Sequence, residues 1–245
     1  VICPPPAQIP ALELLSLGDC GWGANLLWGL GNSVVIALGA YAVGFAIGIA
    51  GAFGKLYGGP ILKDLLATYT TLVRAVPELV LILILYYAFT GLLNEALLSW
   101  GYSRVVISPI LTGIAVLGVV QGAYQTEVIR GGILAVPTGQ IEAARAMGMP
   151  PGLMARRITL PLMTANALPG LANLWLNATK DTALLAVIGF TELTKSTAQA
   201  SASTKAFFVF YPAAMVLYLC ISLTSTLLIH RIEKWARRGQ RDMRV

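Results

Sequence analysis

The sequence is short of charge. Only 11% of its 245 residues are Asp, Glu, Lys or Arg, and 57% are hydrophobic, whereas a soluble globular domain carries about 25% charged residues. No Lys or Arg occurs before Lys55, and nothing from Cys20 to Gly54 is charged. That balance leaves no room for a separate soluble domain and marks an integral membrane chain. Cysteine and histidine are scarce too: Cys3, Cys20, Cys220 and the lone His230. They form no CxxC pair and no metal-ligand spacing. Neither a Gly-x4-Gly-Lys-Ser/Thr phosphate loop nor an HExxH helix is present. The chain is therefore read as non-catalytic, with no cofactor or metal of its own. No basic segment precedes the first apolar run, so no cleavable leader is expected.

What is there is apolar runs with brief polar interruptions. Residues 1–24 are Pro-rich and free of Lys and Arg, and read as an arm outside the cytoplasm, with a short interfacial helix near Ala11 to Leu17. Cys3 and Cys20 both lie in that arm and allow a disulfide there; Cys220, inside an apolar run, is expected to pack. The first expected span is Leu26 to Phe53, where Gly39, Gly44, Gly48 and Gly51 suit close helix contact. The charge-free run between Glu78 and Glu95 covers only about 24 Å at 1.5 Å per residue, short of a bilayer core of about 30 Å. The second span is thus expected to start earlier and to carry Arg74, Pro77 and Glu78 in its first turns. Val105 to Thr126 is the third span. Ile158 to Thr179 is the fourth, bent at Pro161 and Pro169. Thr191 to Lys205 reads as a Ser/Thr-rich outer loop, and Ala206 to Ile229 as the fifth span.

Orientation follows from the basic residues. With the N-terminus outside, the inner side holds Lys55, Lys63, Arg130, Arg145, Arg156, Arg157, Arg231, Lys234, Arg237, Arg238, Arg241 and Arg244. The outer loops hold only Arg104, Lys195 and Lys205. The fold class is therefore an all-α integral membrane protein of five transmembrane helices, N-out and C-in. Residues 25–230 form the membrane domain, and 231–245 a basic cytoplasmic tail that attracts anionic lipid headgroups. The net charge of +6 sits at membrane edges rather than on a folded face, so no nucleic acid partner is expected.

The most informative stretch is 137–161, the longest polar-rich interruption. Thr138 can cap a helix, Ile141 to Met147 favour one, and Gly148 with Pro150 and Pro151 end it. About two to three turns cannot cross a bilayer, which needs about 20 apolar residues. The result is a hydrophilic knuckle between two spans. Within it, Glu142-Ala143-Ala144, Gly148, Ile158, Leu160 and Pro161 match E-A-A-x3-G-x9-I-x-L-P. That pattern resembles the EAA loop of the membrane subunits of bacterial binding-protein-dependent ABC importers. The resemblance implies a coupling helix seated in a groove of a cytoplasmic ATPase. Small Ala143 and Ala144 would permit close approach, Glu142 would supply a charge, and Gly148 would free the backbone to turn.

Further elements extend the resemblance over most of the chain from about residue 25. They are Arg74-Ala75-Val76-Pro77-Glu78-Leu79, Gly122-Ala123-Tyr124-Gln125-Thr126-Glu127, Ala135-Val136-Pro137 and Lys180-Asp181-Thr182-Ala183-Leu184. Together they look closest to Q-type permease subunits of histidine/lysine/arginine/ornithine or opine importers. For Arg74 and Glu78, snorkelling with an i,i+4 pair and a place on the solute route fit equally well. Lys180 and Asp181, adjacent and therefore facing different ways, each need another partner. Asn173 and Asn177 put two amides on one helix face, with Trp175 on another; they fit helix glue or a polar route. Leu174 stands where some members carry a polar or acidic residue. That points to coordination of solute by a partner subunit, or to a passive route here.

The resemblance implies a type I importer, located in the bacterial inner membrane, that moves polar amino acids, with basic amino acids or opines as the finer expectation. Its expected partners are a second similar permease subunit, identical or not, two ATPase subunits binding ATP and Mg, and an extracytoplasmic substrate-binding protein. A secondary transporter or channel would instead show internal repeats, and none is found. An intramembrane enzyme would need a nucleophile or metal set, which is missing.

Overall fold

The computed structural model describes residues 10–103 and 108–236, and among these all regular secondary structure is helical. The order is α1 (Ala11–Leu14), α2 (Gly23–Tyr57), α3 (Pro60–Ala75), α4 (Glu78–Ser99), α5 (Pro109–Leu134), α6 (Thr138–Ala146) and α7 (Pro151–Met154). A π-helical turn (Ala155–Thr159) leads into α8 (Leu160–Asp181). A 3-10 helix (Thr182–Ile188), α9 (Leu193–Thr204) and α10 (Phe207–Ala236) follow. By length and composition, α2, α4 and α10 are apolar enough to cross a membrane. Helices α5 and α8, with 26 and 22 residues, would reach about 39 and 33 Å but are more polar. Their polar residues include Gln121, Gln125, Glu127 and Arg130 in α5, and Asn173, Asn177 and Lys180 in α8.

The centre of the fold is the seam between α2 and α5, which pack along most of their length. A Cβ added at Gly44 would lie 2.9 Å from the Gln121 Cβ, and one at Gly48 would lie 2.8 Å from the Gln125 Cβ. Side chains there are impossible without separating the helices, so glycine permits the contact. Helix α5 reciprocates with Gly118 against Val43 and Gly122 against Ile47. Residue numbers rise together across the seam, so the two helices run parallel. Helix α8 runs the other way along α5, with Gly132 against Ala167, Gly170 against Val128, and Gln121 against Asp181.

The molecule has two ends. One gathers Leu14, Leu26, Leu193, Ala200, Phe210 and Ala214 into an apolar cluster that binds α1, α9 and the start of α10 to α2. The other carries α6, reached from the end of α5. Cys20 is disulfide-bonded; Cys3, its expected partner, lies outside the described residues. Cys220 is free and exposed, not packed.

Several expectations need correction. The second pass is not one helix carrying Pro77 in its first turns: α3 ends at Ala75 and α4 starts at Glu78. Val76 is extended, at φ −96° and ψ 141°, because the proline ring excludes helical backbone from the residue before it. Arg74 and Glu78 therefore belong to different helices and form no intrahelical pair. The expected loop from Thr191 to Lys205 is mostly α9, whose Leu193, Ser196, Thr197, Ala200 and Ser201 are buried. Gly29 of α2 admits it, since a Cβ there would meet the Ser196 Oγ at 2.6 Å. Thr138 is not the cap of α6; Pro137 holds that position. Helix α10 continues past Ile229 to Ala236.

Candidate coupling and translocation site

Helix α6 ends in a hydrogen-bonded turn that its sequence dictates. The Gly148 N–H donates to the Arg145 carbonyl at 2.9 Å, and the Met149 N–H to the Ala144 carbonyl at 3.0 Å. This closing pattern requires a left-handed residue between the two, and Gly148 has φ +75°. Nothing lies within 4 Å of a Cβ built there, so any substitution is strained by backbone conformation alone. Glu142, Ala143 and Gly148 are exposed, whereas Ala144 is buried, 4% exposed. The knuckle thus holds on through Ala144 and presents Glu142 and Ala143 outward. Ile158 is half-buried and Leu160 and Pro161 are exposed. The Leu160 N–H donates five residues back, to Ala155. That wide turn makes room for the ring of Pro161, which would otherwise crowd the preceding carbonyl.

A second polar centre sits halfway along the seam. Gln121 lies opposite Gly44, about 22 Å from the level of Gly29 and about 16 Å from that of Lys55 at 1.5 Å per residue. Its Nε2 donates to Asp181 Oδ2 at 3.1 Å. The Glu78 carboxyl interacts with both the Asp181 carboxyl and the Tyr124 hydroxyl, and Arg74 lies within electrostatic range of Tyr124. The break between α3 and α4, the middle of α5 and the end of α8 therefore converge. Arg74, Glu78 and Asp181 were singled out in the sequence and are brought together here. Gln121 was not singled out, and Tyr124 only as part of a motif; their signal was a polar residue at helical spacing in an apolar run.

Asn173 and Lys180 are exposed and Asn177 half-buried. No hydrogen bond links these three side chains to the carboxylate cluster among the described residues. By helical spacing they share one open stripe of α8 with exposed Asn166. Leu174 and Ala178 are buried on the packed side. Trp175 meets Tyr41 of α2 edge to face at 5.5 Å, and the Tyr41 hydroxyl donates to the Leu171 carbonyl at 3.0 Å. Among the described residues, the amide oxygens of Gln121 and Gln125 are buried without a hydrogen-bond partner.

Comparison with known proteins identifies the family and the fold. Residues 26–241 match the model of the binding-protein-dependent transport system inner membrane component. A nopaline transport system permease protein, NocQ of Agrobacterium fabrum, is 42% identical over 233 residues, covering 94% of this chain and 99% of the relative. The histidine/lysine/arginine/ornithine permease protein HisQ of Escherichia coli is 38% identical over 205 residues, covering 84% and 90%. Among solved structures, an amino acid ABC transporter crystallised with histidines superimposes with a TM-score of 0.76 at 26% identity, over 93% of this chain and 99% of that one. The inward-facing MetNI methionine transporter shares the fold, with a TM-score of 0.69 at 18% identity, over 86% and 96%. The chain belongs to the family of inner membrane components of binding-protein-dependent transport systems, and it is a permease of the bacterial inner membrane.

Proposed function

We propose that the chain forms one half of the pore of an ATP-driven importer for polar, cationic amino acids or opines. The relatives named for nopaline, octopine and histidine/lysine/arginine/ornithine transport support that solute class. The observation that carries the reading is the arrangement along α5. Its end leads to the exposed knuckle α6, and its middle holds Gln121 and Tyr124 against Glu78 and Asp181. Buried carboxylates in a membrane are costly unless they face partners or a polar route. Glu78 and Asp181, both half-buried and at one level, suit a solute carrying an amino or guanidinium group.

In this reading the five long helices α2, α4, α5, α8 and α10 cross the membrane with the N-terminus outside and the C-terminus in the cytoplasm. The parallel α2–α5 seam, antiparallel α8, and basic residues grouped on the α6 side support it. So do exposed aromatics near both ends, Trp28, Trp100 and Tyr102 towards one, Tyr57 and Trp235 towards the other. Glu142, Ala143, Ala144, Gly148, Ile158, Leu160 and Pro161 engage the ATPase, which binds ATP and Mg. Arg74, Glu78, Asn173, Asn177, Lys180 and Asp181 line the route, completed by a second permease subunit. An extracytoplasmic binding protein delivers solute to the outer face. Closure of the ATPase pair biases two packings that differ by a few kcal/mol.

The test is to isolate the assembled complex and label Asn173→Cys with a polar thiol reagent. Co-purification of an ATPase that carries a phosphate loop, and labelling that changes with a non-hydrolysed ATP analogue, are expected. Labelling indifferent to nucleotide in a complex that hydrolyses ATP would remove the route from this chain. A secondary transporter subunit would purify without any ATPase.

A further inference from the structure

The seam has a charged cluster that neither the knuckle nor the route uses. Glu127 of α5 accepts from Lys55 Nζ of α2 at 2.5 Å, and from Arg130 Nε and Nη2 at 3.1 and 2.8 Å. Lys55 also donates to the Thr70 hydroxyl of α3 at 2.9 Å. The Lys55 and Glu127 side chains are largely buried, 14% and 17% exposed. Lys55 therefore ties α2 to both α3 and α5, and Arg130 holds the same Glu127 carboxylate from within α5. Glu127 is two turns above the end of α5, from which a short turn leads through Val136, 5% exposed, into α6. Thr70 is one turn below Arg74, where α3 gives way to the extended Val76 and Pro77. Between the cluster and that break, Tyr69 donates to the Val119 carbonyl and Val73 packs on Val120 and Ala123. Beyond the break the packing thins: in α4 only Ile82 is buried.

We propose that Lys55, Glu127, Arg130 and Thr70 form a clamp that makes the inner parts of α2, α3 and α5 one rigid body moving with the knuckle α6. The break at Val76–Pro77 is then the hinge between that body and α4. These are positioning residues: they touch no solute and act by fixing α3 to α5. A charged pair in a poorly hydrated setting holds its geometry only when both partners are present, because the survivor of a deletion keeps its desolvation cost. Two-state motion needs such a stiff element beside a soft one. Glu78 rides on the far side of the hinge and Arg74 on the near side, so a turn of the knuckle changes their separation. The inference rests on the coupling reading above.

Its test uses the whole complex in lipid nanodiscs, with Cys220→Ser as background, and distances between paired spin labels. One pair joins Thr68→Cys of α3 to Gly131→Cys of α5, both exposed. The other joins Thr68→Cys to Gly91→Cys of α4, where a side chain meets open space. Between nucleotide-free and vanadate-trapped states, the α3–α5 distance is expected to stay fixed while the α3–α4 distance shifts. Lys55→Met should broaden the α3–α5 distance or make it nucleotide-dependent, and Lys55→Arg should restore it. Glu127→Gln, which keeps the shape, serves if Lys55→Met fails to assemble. A shift in both pairs in the parent protein, or no effect of either variant, overturns the clamp and leaves coupling standing. No shift in either pair removes the coupling reading itself.

Discussion

The two ends of the seam each centre on a glutamate, and the contrast between them is instructive. At the α9 end, Glu192 is fully buried and forms no ion pair among the described residues. It accepts from the backbone N–H groups of Thr194 and Lys195 at 2.8 and 2.7 Å, from the Tyr218 hydroxyl at 3.1 Å and from the Ser33 hydroxyl at 3.3 Å. It thereby caps α9 and pins it to α2 and α10. At the α6 end, Glu127 is held by two cations that water can still reach. Dipoles and packing make the first knot directional and hard to open. Charge holds the second, and it keeps its geometry only while both signs are present. The knot at the α9 end builds the fold; the one at the α6 end is the clamp proposed above.

The largest expected effect comes from breaking the knot at the α9 end. Glu192→Ala leaves two backbone N–H groups and two hydroxyls without their acceptor, at about 1–3 kcal/mol for each buried group left unsatisfied. A marked loss of thermal stability in the purified complex should accompany detachment of α9. Next comes Gly48→Leu, which severs the seam joining the two knots. Overpacking typically costs about 1–3 kcal/mol, and here the obstacle is the Gln125 Cβ at 2.8 Å. A Gly48→Leu protein as stable as its parent would show that the seam is looser than described.

Gly148→Asp sharpens the contrast from the other side. Left-handed backbone costs a non-glycine residue about 1–2 kcal/mol, and a carboxylate at a helix C-terminus opposes the macrodipole. Stability should fall little while solute uptake per ATP hydrolysed collapses. Normal uptake at normal expression would dismiss the coupling role of that turn.

The smallest effect concerns pH. Burial pushes the Glu192 carboxyl above the usual carboxylate range, against four hydrogen bonds that pull it down. With the folded value above the unfolded one, its contribution is present below the unfolded value, about pH 4.3, and is lost as pH rises through the folded value. Relative to Glu192→Gln, which does not titrate, the melting temperature of the parent should fall as pH rises through that window. Parallel curves would mean that Glu192 titrates normally.

Much of the knuckle was legible in the sequence because its signals are local. Gly148 marks a left-handed turn and paired prolines stop a helix whatever surrounds them. The glycines at 44, 48 and 51 likewise announced a close helix contact, though not its partner. The α9 end was opaque for a physical reason. Ser196, Thr197 and Ser201 are small polar residues that are buried, Ser196 against Gly29, whereas a hydropathy pattern reads them as solvent-facing. Pro77 was read as a bend in one helix because sequence cannot distinguish a kink from a full break. Helices α3 and α4 both pack on α5, but α3 also packs on α2 and α4 on the 3-10 helix. Lys55 and Glu127 looked like ordinary edge charges, since 72 residues separate them.

The wide turn at Ala155–Thr159 sets the phase of all that follows. It holds one residue more than an α-helical turn would, and one residue is about 100° of rotation. The direction in which α8 shows Asn173, Asn177 and Lys180, relative to the knuckle fixed by Gly148, is therefore an angular offset written into the backbone. Deleting a single residue there would let the helix run on in regular form, but either the knuckle or α8 would have to rotate. A chain with the same polar residues in the same order could then aim them at α5 in place of the open side.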